Sequence, residues 1–325
     1  MRIWRSIDEV PTDLGRTTVT IGNFDGVHLG HQHVIARSRE VAADVGTGHV
    51  VAVTFDPHPI AVLRPEHAPT ALTTIDTRVD LLASAGVDDV LVIPFTREIA
   101  AWTPNRFIEE IVVDALHAEA VVVGANFRFG NRAAGDVATL REAGEVHDFV
   151  VEGIALDGGP QVWSSTYIRG CLAGGDVEGA AEALGRPFTV RGEVVRGDHR
   201  GRELGFPTAN VPTDRMHAAP ADGVYAGWLK RLDPSTGSGQ ATEGTQLPAA
   251  ISVGTNPTFA GDRERRVESY VLDRDDLELY GVRVEVSFVS RLRGMVRFDS
   301  IEELIETMHD DVARAHAVLG VPEPS

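Results

Sequence analysis

Apolar runs alternate with amphipathic segments over the first half of the chain. Five runs are rich in valine and isoleucine and nearly continuous in apolar character, as strands buried on both faces of a parallel sheet are; they are TTVTIG, VVAVTF, DVLVIPF, AEAVVVG and HDFVVEGIAL. The segments between these runs predict helices, as in TTIDTRVDLLASAG, where Ile75, Val79 and Leu82 recur at helical spacing. This alternation predicts an α/β fold with a doubly wound parallel sheet, which binds ligands at the carboxyl ends of its strands.

The pattern changes near Gly185, where short runs of alternating character begin, separated by Gly, Pro and Asp turns. These runs are FTVRGEVVRG, GVYAGWLKRL, PAAISVG, RVESYVLD and VRVEVSFVSRL, and they predict a small antiparallel β-barrel. A closing helix follows, with Ser300 and Glu303 as a capping box. Its apolar face comprises Ile301, Leu304, Ile305, Met308 and Val312. We therefore expect two domains, residues 1–186 and 187–325.

Length and charge narrow the class of protein. A chain of 325 residues exceeds what one hydrophobic core usually serves. The 48 acidic and 30 basic side chains give a net charge of −18, which repels nucleic acid and anionic lipid alike. No run approaches the roughly 18 apolar residues of a membrane span, and the first residues lack the apolar stretch of a signal peptide. We expect a cytoplasmic protein that acts on small molecules and has no nucleic-acid or membrane partner.

The basic residues are almost all arginine, because Lys230 is the one lysine in the sequence. A Walker A loop, a protein-kinase site and a pyridoxal site each need a lysine in a defined motif, and GVYAGWLKRL matches none of them. Any phosphate must therefore be held by backbone amides, histidines, arginines, hydroxyls and a metal ion. The single cysteine, Cys171, excludes an intrachain disulfide and a cysteine-based zinc site.

The first predicted strand leads directly into GNFDGVHLGHQHVIARS, a glycine-rich turn followed by an amphipathic helix. A helix N-terminus suits an anion because its peptide N–H groups point outward. Gly22, Gly26 and Gly30 let the backbone approach a nucleotide, while His28 and His31 share one face, where both imidazoles can donate to phosphoryl oxygens. A metal pair is the weaker alternative, since helical zinc sites usually space histidines four apart, and capping or surface roles are open as well.

The string GNFDGVHLGH resembles the HxGH signature of the nucleotidylyltransferase superfamily and is most similar to its flavin-adenylating branch. TFDPHP, GANFRFG and SSTYIR follow in the order of that branch, each at a predicted strand end or helix start. The resemblance implies that FMN's phosphate attacks the α-phosphate of ATP between His28, His31 and SSTYIR, giving FAD and pyrophosphate, with Mg²⁺ bridging the phosphates. The ATP- and substrate-binding residues that it implies are Gly22, Asn23, Asp25, Gly30, His58, Asn126, Ser165, Thr166 and Arg169.

Two of these residues have plain structural alternatives. His58 lies between Pro57 and Pro59 and could be a turn residue. Asp25 could serve only to form an Asx-turn, and it ranks below the two histidines.

A second glycine-rich run, GEVVRGDHRGRELGFPTANV, opens the predicted barrel. By itself it could be an ordinary connection, with PTAN as a polar turn. The whole run resembles the signature of bacterial riboflavin kinases, which implies that Thr208 and Asn210 hold Mg²⁺ and the ATP phosphates. It also implies that Gly197, Gly201 and Arg202 form a flap over the nucleotide. Hydroxyl and amide oxygens suit a hard cation.

NPTF and RRVESYVLD come later and match the same family. The resemblance implies that the carboxylate of Glu268 takes the proton of riboflavin's terminal hydroxyl as that oxygen attacks the γ-phosphate of ATP. The alternative is that Glu268 is one outward charge on an alternating strand, between Val267 and Ser269. The PTAN context favours catalysis.

Two segments of the predicted barrel have no assigned chemistry. Residues 233–246 are polar and rich in Gly, Ser and Thr, which predicts a flexible hairpin loop. The stretch RLRGMVRF, residues 291–298, lacks the acidic residue that similar families often carry there, so flavin contacts in it are left open. Its arginines, with Arg263, Arg265 and Arg266, could be solvated charge or could favour phosphorylated ligands or a neighbouring subunit.

The motifs together resemble the bacterial FAD synthetase family, bifunctional enzymes with riboflavin kinase and FMN adenylyltransferase modules, over residues 17–316. The resemblance implies Mg²⁺ as a cofactor and ATP, riboflavin, FMN and FAD as substrates or products. A homo-oligomer is possible. Two rivals stay open: a monofunctional enzyme that keeps one module as a binding platform, and a flavin-sensing regulator that binds nucleic acid through its barrel.

Overall fold

The chain forms two compact units, Met1–Ser165 and Thr166–Ser325. The structure is a computed structural model, and it describes residues 1–155, 163–196, 205–232, 245–257 and 263–323. The domain boundary expected at 186/187 stays a prediction, because two helices within residues 165–184 come between the parallel sheet and the barrel in the sequence.

The described part of the first unit contains a parallel sheet of six strands in the order β1-β4-β3-β2-β5-β6. Five strands coincide with the apolar runs, and β1 is a short addition at one edge that the pattern did not predict. The strands are β1 (Ile3–Trp4), β2 (Thr17–Ile21), β3 (Val50–Asp56), β4 (Asp89–Pro94), β5 (Ala118–Gly124) and β6 (Val150–Ile154). The predicted doubly wound parallel sheet is confirmed.

Helices cover both faces of this sheet. They are α1 (Leu29–Asp44), α2 (Pro59–Leu63), α3 (Ile75–Ser84), α4 (Pro104–Phe107), which continues as a wider helical turn over Ile108–Ala115, and α5 (Val137–His147). Alternate strand residues face opposite ways, so Ala52 packs against α1 and α3 while Val51 and Val53 pack towards α4 and α5. Strands buried on both sides explain why their sequences are apolar throughout.

The strand order reverses between β2 and β5, since β3 and β4 lie on one side of β2 and β5 and β6 on the other. In an open α/β sheet, ligands bind outside the carboxyl ends of the strands at such a reversal. The glycine-rich turn that follows β2 and leads into α1 lies at this position. The segments after β3 and β5 emerge at the same edge.

Two further helices and the barrel make up the second unit. The elements are α6 (Ser165–Gly174), which begins at the last residue of the first unit, α7 (Val177–Leu184), β7 (Phe188–Glu193), β8 (Thr208–Thr213), β9 (Gly223–Arg231), β10 (Gln246–Pro257), β11 (Arg263–Val271), β12 (Arg283–Gly294) and α8 (Ile301–Leu319). Its described strands form an antiparallel sheet in the order β7-β12-β9-β10-β11-β8. The N–H of Val195 donates to the carbonyl of Asn210 at 2.9 Å, so the two edges meet and the sheet nearly closes into a barrel. The predicted barrel and closing helix are confirmed.

The barrel interior is apolar, and the closing helix packs outside it. Val211, Ile251 and Val267 are fully buried within the barrel. A separate cluster joins Val224 and Ala226 of β9 to α8 through Ala315 and its neighbours. The apolar face predicted for α8 therefore packs mainly through its second half, since Ile301 at its start is 61% exposed.

Two local features differ from what the sequence predicted, and a third expectation is not tested. The strand β8 was not among the predicted runs, and it contains most of the PTAN motif. The capping box of α8 is shifted: Ser300 accepts from the N–H of Glu303 as predicted, but the Glu303 carboxylate accepts from the N–H of Asp299. The expected hairpin loop at 233–246 lies outside the described residues up to residue 244.

We expect Gly227→Ala to destabilise the barrel by about 2 to 3 kcal/mol, because a Cβ there would run into the backbone oxygen of Ser287 on the neighbouring strand. Gly170→Ala is the matched control. A Cβ at this exposed position of α6 meets nothing within 4 Å, so the change should stabilise the helix by up to about 1 kcal/mol. Urea unfolding of both full-length variants measures the difference, and equal free energies of unfolding would contradict this packing.

Candidate active sites

The turn between β2 and α1 has a strained backbone. Phe24, Gly26 and Val27 have φ angles of 48°, 85° and 41°. A positive φ is unusual for a β-branched residue, and each such conformation costs about 1 to 3 kcal/mol. Phe24 and Val27 are both buried in one apolar cluster, and the N–H of Val27 donates to the carbonyl of Phe24 at 3.0 Å. Packing therefore holds this turn in the shape that presents His28 at the start of α1.

His28 and His31 lie against each other. His28 is the N-cap of α1, and its Nδ1 accepts from the backbone N–H of His31 at 3.4 Å. The imidazole rings are stacked, with 3.7 Å between their centroids and 21° between their planes. A Cβ at Gly30 would lie 3.1 Å from the His28 ring. Gly30 thus makes room for an imidazole, and the expected approach of a ligand at Gly30 stays a prediction.

The hydrogen bonds and burial set the protonation of this pair. Because His28 Nδ1 accepts, its proton is on Nε2. His31 Nδ1 is buried and has no hydrogen-bond partner in the described ranges; a buried orphan lone pair costs less than an orphan N–H, so its proton is also on Nε2. Burial, the neighbouring His28 and the charge of Arg78 lower the pKa of His31 well below its ordinary value. Two neutral Nε2–H donors at a helix start can bind an anion.

Asp25 organises the turn from beneath. Its buried carboxylate accepts from the N–H groups of Leu72 at 3.0 Å and Thr73 at 3.1 Å, and it lies 3.6 Å from the guanidinium of Arg78. Its backbone carbonyl accepts from the Ser165 hydroxyl at 2.9 Å. Because these partners are distant in the sequence, Asp25 does more than form a local Asx-turn. Contact between Asp25 and a substrate stays a prediction.

Asn23 and His58 meet at the carboxyl edge of the sheet. Their side chains are 3.3 Å apart, between Asn23 Nδ2 and His58 Nε2. His58 Nδ1 accepts from the N–H of Ile60 at 3.2 Å, which caps α2 and places the ring proton on Nε2. The Asn23 amide must then present its oxygen to Nε2, an orientation that hydrogen bonding assigns. His58 therefore has the local structural role that the sequence left open, because it caps α2. It also contacts Asn23, another predicted site residue.

For the remaining predicted residues of this site, the structure gives a position in the fold. Asn126 is exposed just after β5, at the edge where β2 and β3 also end. Ser165 is tied to Asp25 as described. Thr166 and Arg169 continue along α6 in the second unit, and their approach to the histidine pair stays a prediction.

The second site follows from the pairing of β8 with β11. Asn210 is directly opposite Glu268, and Thr208 is opposite Tyr270. Facing residues of an antiparallel pair share one side of the sheet. Because Val267 beside Glu268 is buried in the barrel, Thr208, Asn210 and Glu268 lie on its outer side. Three residues predicted from separate motifs are thus brought together.

Hydrogen bonds fix the orientation of the Asn210 amide. Its Nδ2 donates to the carbonyl of Thr208 at 3.3 Å and to the Thr208 hydroxyl at 3.1 Å, and the residue is only 5% exposed. With the amide nitrogen engaged, its oxygen is the atom that suits a hard cation, as does the hydroxyl. Within the described residues, no group of three or more His, Cys, Asp or Glu side chains is arranged to hold a metal. Hydroxyl and amide oxygens are the donor set that fits Mg²⁺ here.

An aromatic contact beside this site was not indicated by the sequence. Phe206 is buried two residues before Thr208, and its ring lies 5.2 Å from those of Tyr270 and His309. It anchors the start of β8 to β11 and α8. In the sequence, only its position immediately before PTAN could have drawn attention to Phe206. The flap residues predicted in the same run, Gly197, Gly201 and Arg202, lie outside the described residues.

The arginines near residue 291 bind protein groups. Arg291 donates to the carbonyls of Gly174 and Asp222, each at 3.0 Å. Arg293 forms a forked pair with the buried Asp311 at 2.7 to 3.0 Å. Arg265 is paired with Asp222 at 3.0 Å. These three arginines thus join elements of the second unit. The sequence alone instead suggests solvated charge, phosphorylated ligands or a neighbouring subunit.

Comparison with known proteins places both halves of the chain. A family model described as FAD synthetase matches residues 10–165, and one described as riboflavin kinase matches residues 184–319. The bifunctional riboflavin kinase/FMN adenylyltransferase of Escherichia coli (strain K12) is 36% identical over 309 residues, 94% of each chain. That of Pseudomonas fluorescens is 36% identical over 321 residues, 98% of each chain.

A solved structure shares the whole fold. It is a protein from Streptococcus pneumoniae described as a macrolide-efflux protein, with a TM-score of 0.84 and 28% identity over 97% of this chain and 98% of that one. That description belongs to the Streptococcus protein, and the likeness concerns the fold. In the described part of this chain, no helix combines the length and apolar character needed to cross a membrane.

Two unlike folds on one chain, each presenting side chains suited to phosphate, define a two-domain transferase. The family models divide the chain in the same way as the folds do. The chain belongs to the family of bifunctional riboflavin kinase/FMN adenylyltransferases.

The neutral state of His31 predicts a pH dependence of stability. An unfolded histidine takes up a proton below about pH 6.5, whereas the lowered pKa keeps folded His31 neutral, so the unfolded state binds more protons as the pH falls. This one group should therefore reduce the free energy of unfolding below about pH 6.5, by up to about 1.4 kcal/mol per pH unit. His31→Gln should give a shallower slope in urea unfolding measured from about pH 7.5 to about pH 5. An unchanged slope would contradict the buried neutral imidazole.

Proposed function

We propose that this chain makes FAD from riboflavin in two steps with two molecules of ATP. The barrel domain transfers the γ-phosphate of ATP to riboflavin and gives FMN. The sheet domain transfers the adenylyl group of a second ATP to FMN and gives FAD and pyrophosphate. The observation that carries this proposal is the facing pair of Asn210 and Glu268, because it joins a phosphate-binding motif to a general base on one side of the barrel.

In the first step Glu268 acts as the base. Its carboxylate accepts the proton of the ribityl terminal hydroxyl while that oxygen bonds to the γ-phosphorus and the bond to the ADP oxygen breaks. Thr208 and Asn210 would hold Mg²⁺, which neutralises charge on the phosphates. Because their positions are fixed by the Asn210 amide and by the β8–β11 pairing, the nucleotide and the base are oriented by the same two strands.

In the second step the histidine pair stabilises developing charge. A phosphate oxygen of FMN bonds to the α-phosphorus as the bond to pyrophosphate breaks, and negative charge grows on the phosphoryl oxygens. Nε2–H groups of His28 and His31 and the peptide N–H groups of α1 are donors that need no reorganisation, because stacking and the strained turn already hold them. Ser165, Thr166 and Arg169 are proposed to add donors on the side of the leaving pyrophosphate.

The partners, the location and the oligomeric state of the enzyme also belong to this proposal. Small-molecule substrates are the partners that the two reactions need. A cytoplasmic location, a homo-oligomer and the absence of nucleic-acid or membrane partners stay predictions. The net charge of −18 supports the last of these.

Glu268→Gln should lower the rate of FMN formation by about 10²-fold to 10⁴-fold, because an amide of the same shape cannot accept the proton. Formation of FAD from supplied FMN should continue. Glu285→Gln is the matched control: this glutamate pairs with Arg191 on β7, and FMN formation should stay at the wild-type level. Chromatography of flavins after incubation with ATP and Mg²⁺ reads both activities. Loss of both in Glu268→Gln would argue against separate sites.

His28→Ala should lower FAD formation by about 10²-fold or more, because one fixed donor to the reacting phosphate is lost. FMN formation should persist. His33→Ala, at an exposed position of the same helix, is the control that should leave both reactions intact. Formation of FAD by His28→Ala at the wild-type rate would show that the role of the imidazole is wrong.

A further inference from the structure

Arg78 is a buried cation close to the adenylyl-transfer site. It lies on α3, far in the sequence from the glycine-rich turn, and is 5% exposed. Removing a guanidinium from water is costly unless it is paired and hydrogen-bonded. Neither a motif nor a family resemblance pointed to this residue. The contacts of Arg78 therefore indicate its role in the folded chain.

Those partners belong to the two segments that carry the site. One guanidinium nitrogen of Arg78 donates to the carbonyl of Phe55 at 3.2 Å and lies 3.4 Å from the hydroxyl of Thr54, at the end of β3. Another nitrogen lies 3.6 Å from the carboxylate of Asp25, in the turn before α1. The Thr54 hydroxyl itself donates to the carbonyl of Asn23 at 3.0 Å. Arg78 thus joins the turn that presents His28 to the strand that leads to His58.

Arg78 also acts on His31 through its charge. His31 is enclosed by the stacked His28 ring and by the edge of Phe24, whose ring centroid is 5.2 Å away. Besides burial itself, His28 and Arg78 are the titratable and charged groups whose fields lower the pKa of His31. Asp25 lies next to Arg78 and compensates its charge in the buried layer. The charge of Arg78 therefore disfavours protonation of His31, and Asp25 offsets only part of this effect.

We propose that Arg78 is a positioning residue for adenylyl transfer: it holds the turn before α1 against the end of β3 and thereby fixes the positions of the two imidazoles. This inference rests on the proposed function. The neutral state of His31 matters because a second proton on its ring would need a partner for the buried Nδ1, and none is found among the described residues. Protonation would therefore disturb the stack, and with it the donors to the reacting phosphate.

The proposal makes Arg78 different from a residue that only stabilises the fold. A purely structural arginine would change the amount of folded enzyme, but not the pH at which the folded enzyme loses activity. Loss of the fixed charge should let His31 protonate at a higher pH. The low-pH decline of FAD formation should then move to higher pH, while the KM for ATP changes less than kcat.

The test compares Arg78→Met, Arg78→Lys and the control Arg37→Met in the full-length chain. Arg37 is on α1 of the same unit and pairs with Glu152 and Glu40 at the surface. For each variant, kcat and KM of FAD formation are measured across the pH range, and FMN formation is measured in the same preparation. We expect Arg78→Met to lose up to about 10²-fold in kcat, as a small displacement of catalytic groups does, with its low-pH decline shifted upward. Arg78→Lys should restore the position of the decline but only part of kcat, because an ammonium cannot make the forked contacts.

The double variant Asp25→Asn/Arg78→Met distinguishes the proposed role from a loss of activity that is caused only by unfolding. It leaves no buried unpaired carboxylate, so it should be more stable than Arg78→Met while keeping the shifted pH profile. A low-pH decline in both Met variants at the wild-type position would overturn the proposal, as would a kcat equal to that of Arg37→Met. A wild-type chain that forms FMN but no FAD would instead contradict the proposed function of the sheet domain.

Discussion

Asn210 and Glu268 lie far apart in the sequence, yet they occupy facing positions because the antiparallel register of β8 and β11 places them there. Strand pairing imposes the same constraint on the first site. The segments bearing His28, His58 and Asn126 follow different strands, and the parallel arrangement brings their carboxyl ends to one edge. In each domain the sheet determines where the candidate site residues lie. In the first domain these residues are on segments that follow the strands, whereas in the barrel they are on the strands themselves.

The chain meets a second constraint by handling phosphates almost without lysine. In the sheet domain, two stacked imidazoles and the peptide N–H groups of α1 are the proposed substitutes for an ammonium, and their arrangement depends on a strained turn held by buried packing. In the barrel, the proposed cation ligands are the hydroxyl oxygen of Thr208 and the amide oxygen of Asn210. The arginines near residue 291, which are numerous enough to suggest phosphate binding, are used to join elements of the second unit. Basic composition alone is therefore a poor guide to where phosphate binds.

The sequence predicted the large elements well, because buried parallel strands and an amphipathic helix have distinctive patterns. It missed β8, since TANVPT contains a proline and a polar turn-like start, and its strand character comes from pairing with β11. The motifs supplied the candidate site residues, but the neighbours that hold these residues in place could not be predicted from the local sequence pattern. The closeness of Gly30 to the His28 ring, for example, becomes visible only in three dimensions. Arg78 was missed for the same reason, since its partners lie in other segments.

The fate of labelled phosphate tests most directly the claim that this one chain catalyses two different transfers from ATP, of the γ-phosphate and of the adenylyl group. The wild-type protein is incubated with riboflavin, Mg²⁺ and ATP labelled either at the γ-phosphate or at the α-phosphate, and the flavins are separated. Label from the γ-position should appear in FMN and be carried into FAD, whereas label from the α-position should appear in FAD and never in FMN. Label from the α-position in FMN, or FAD that contains no α-label, would contradict the account.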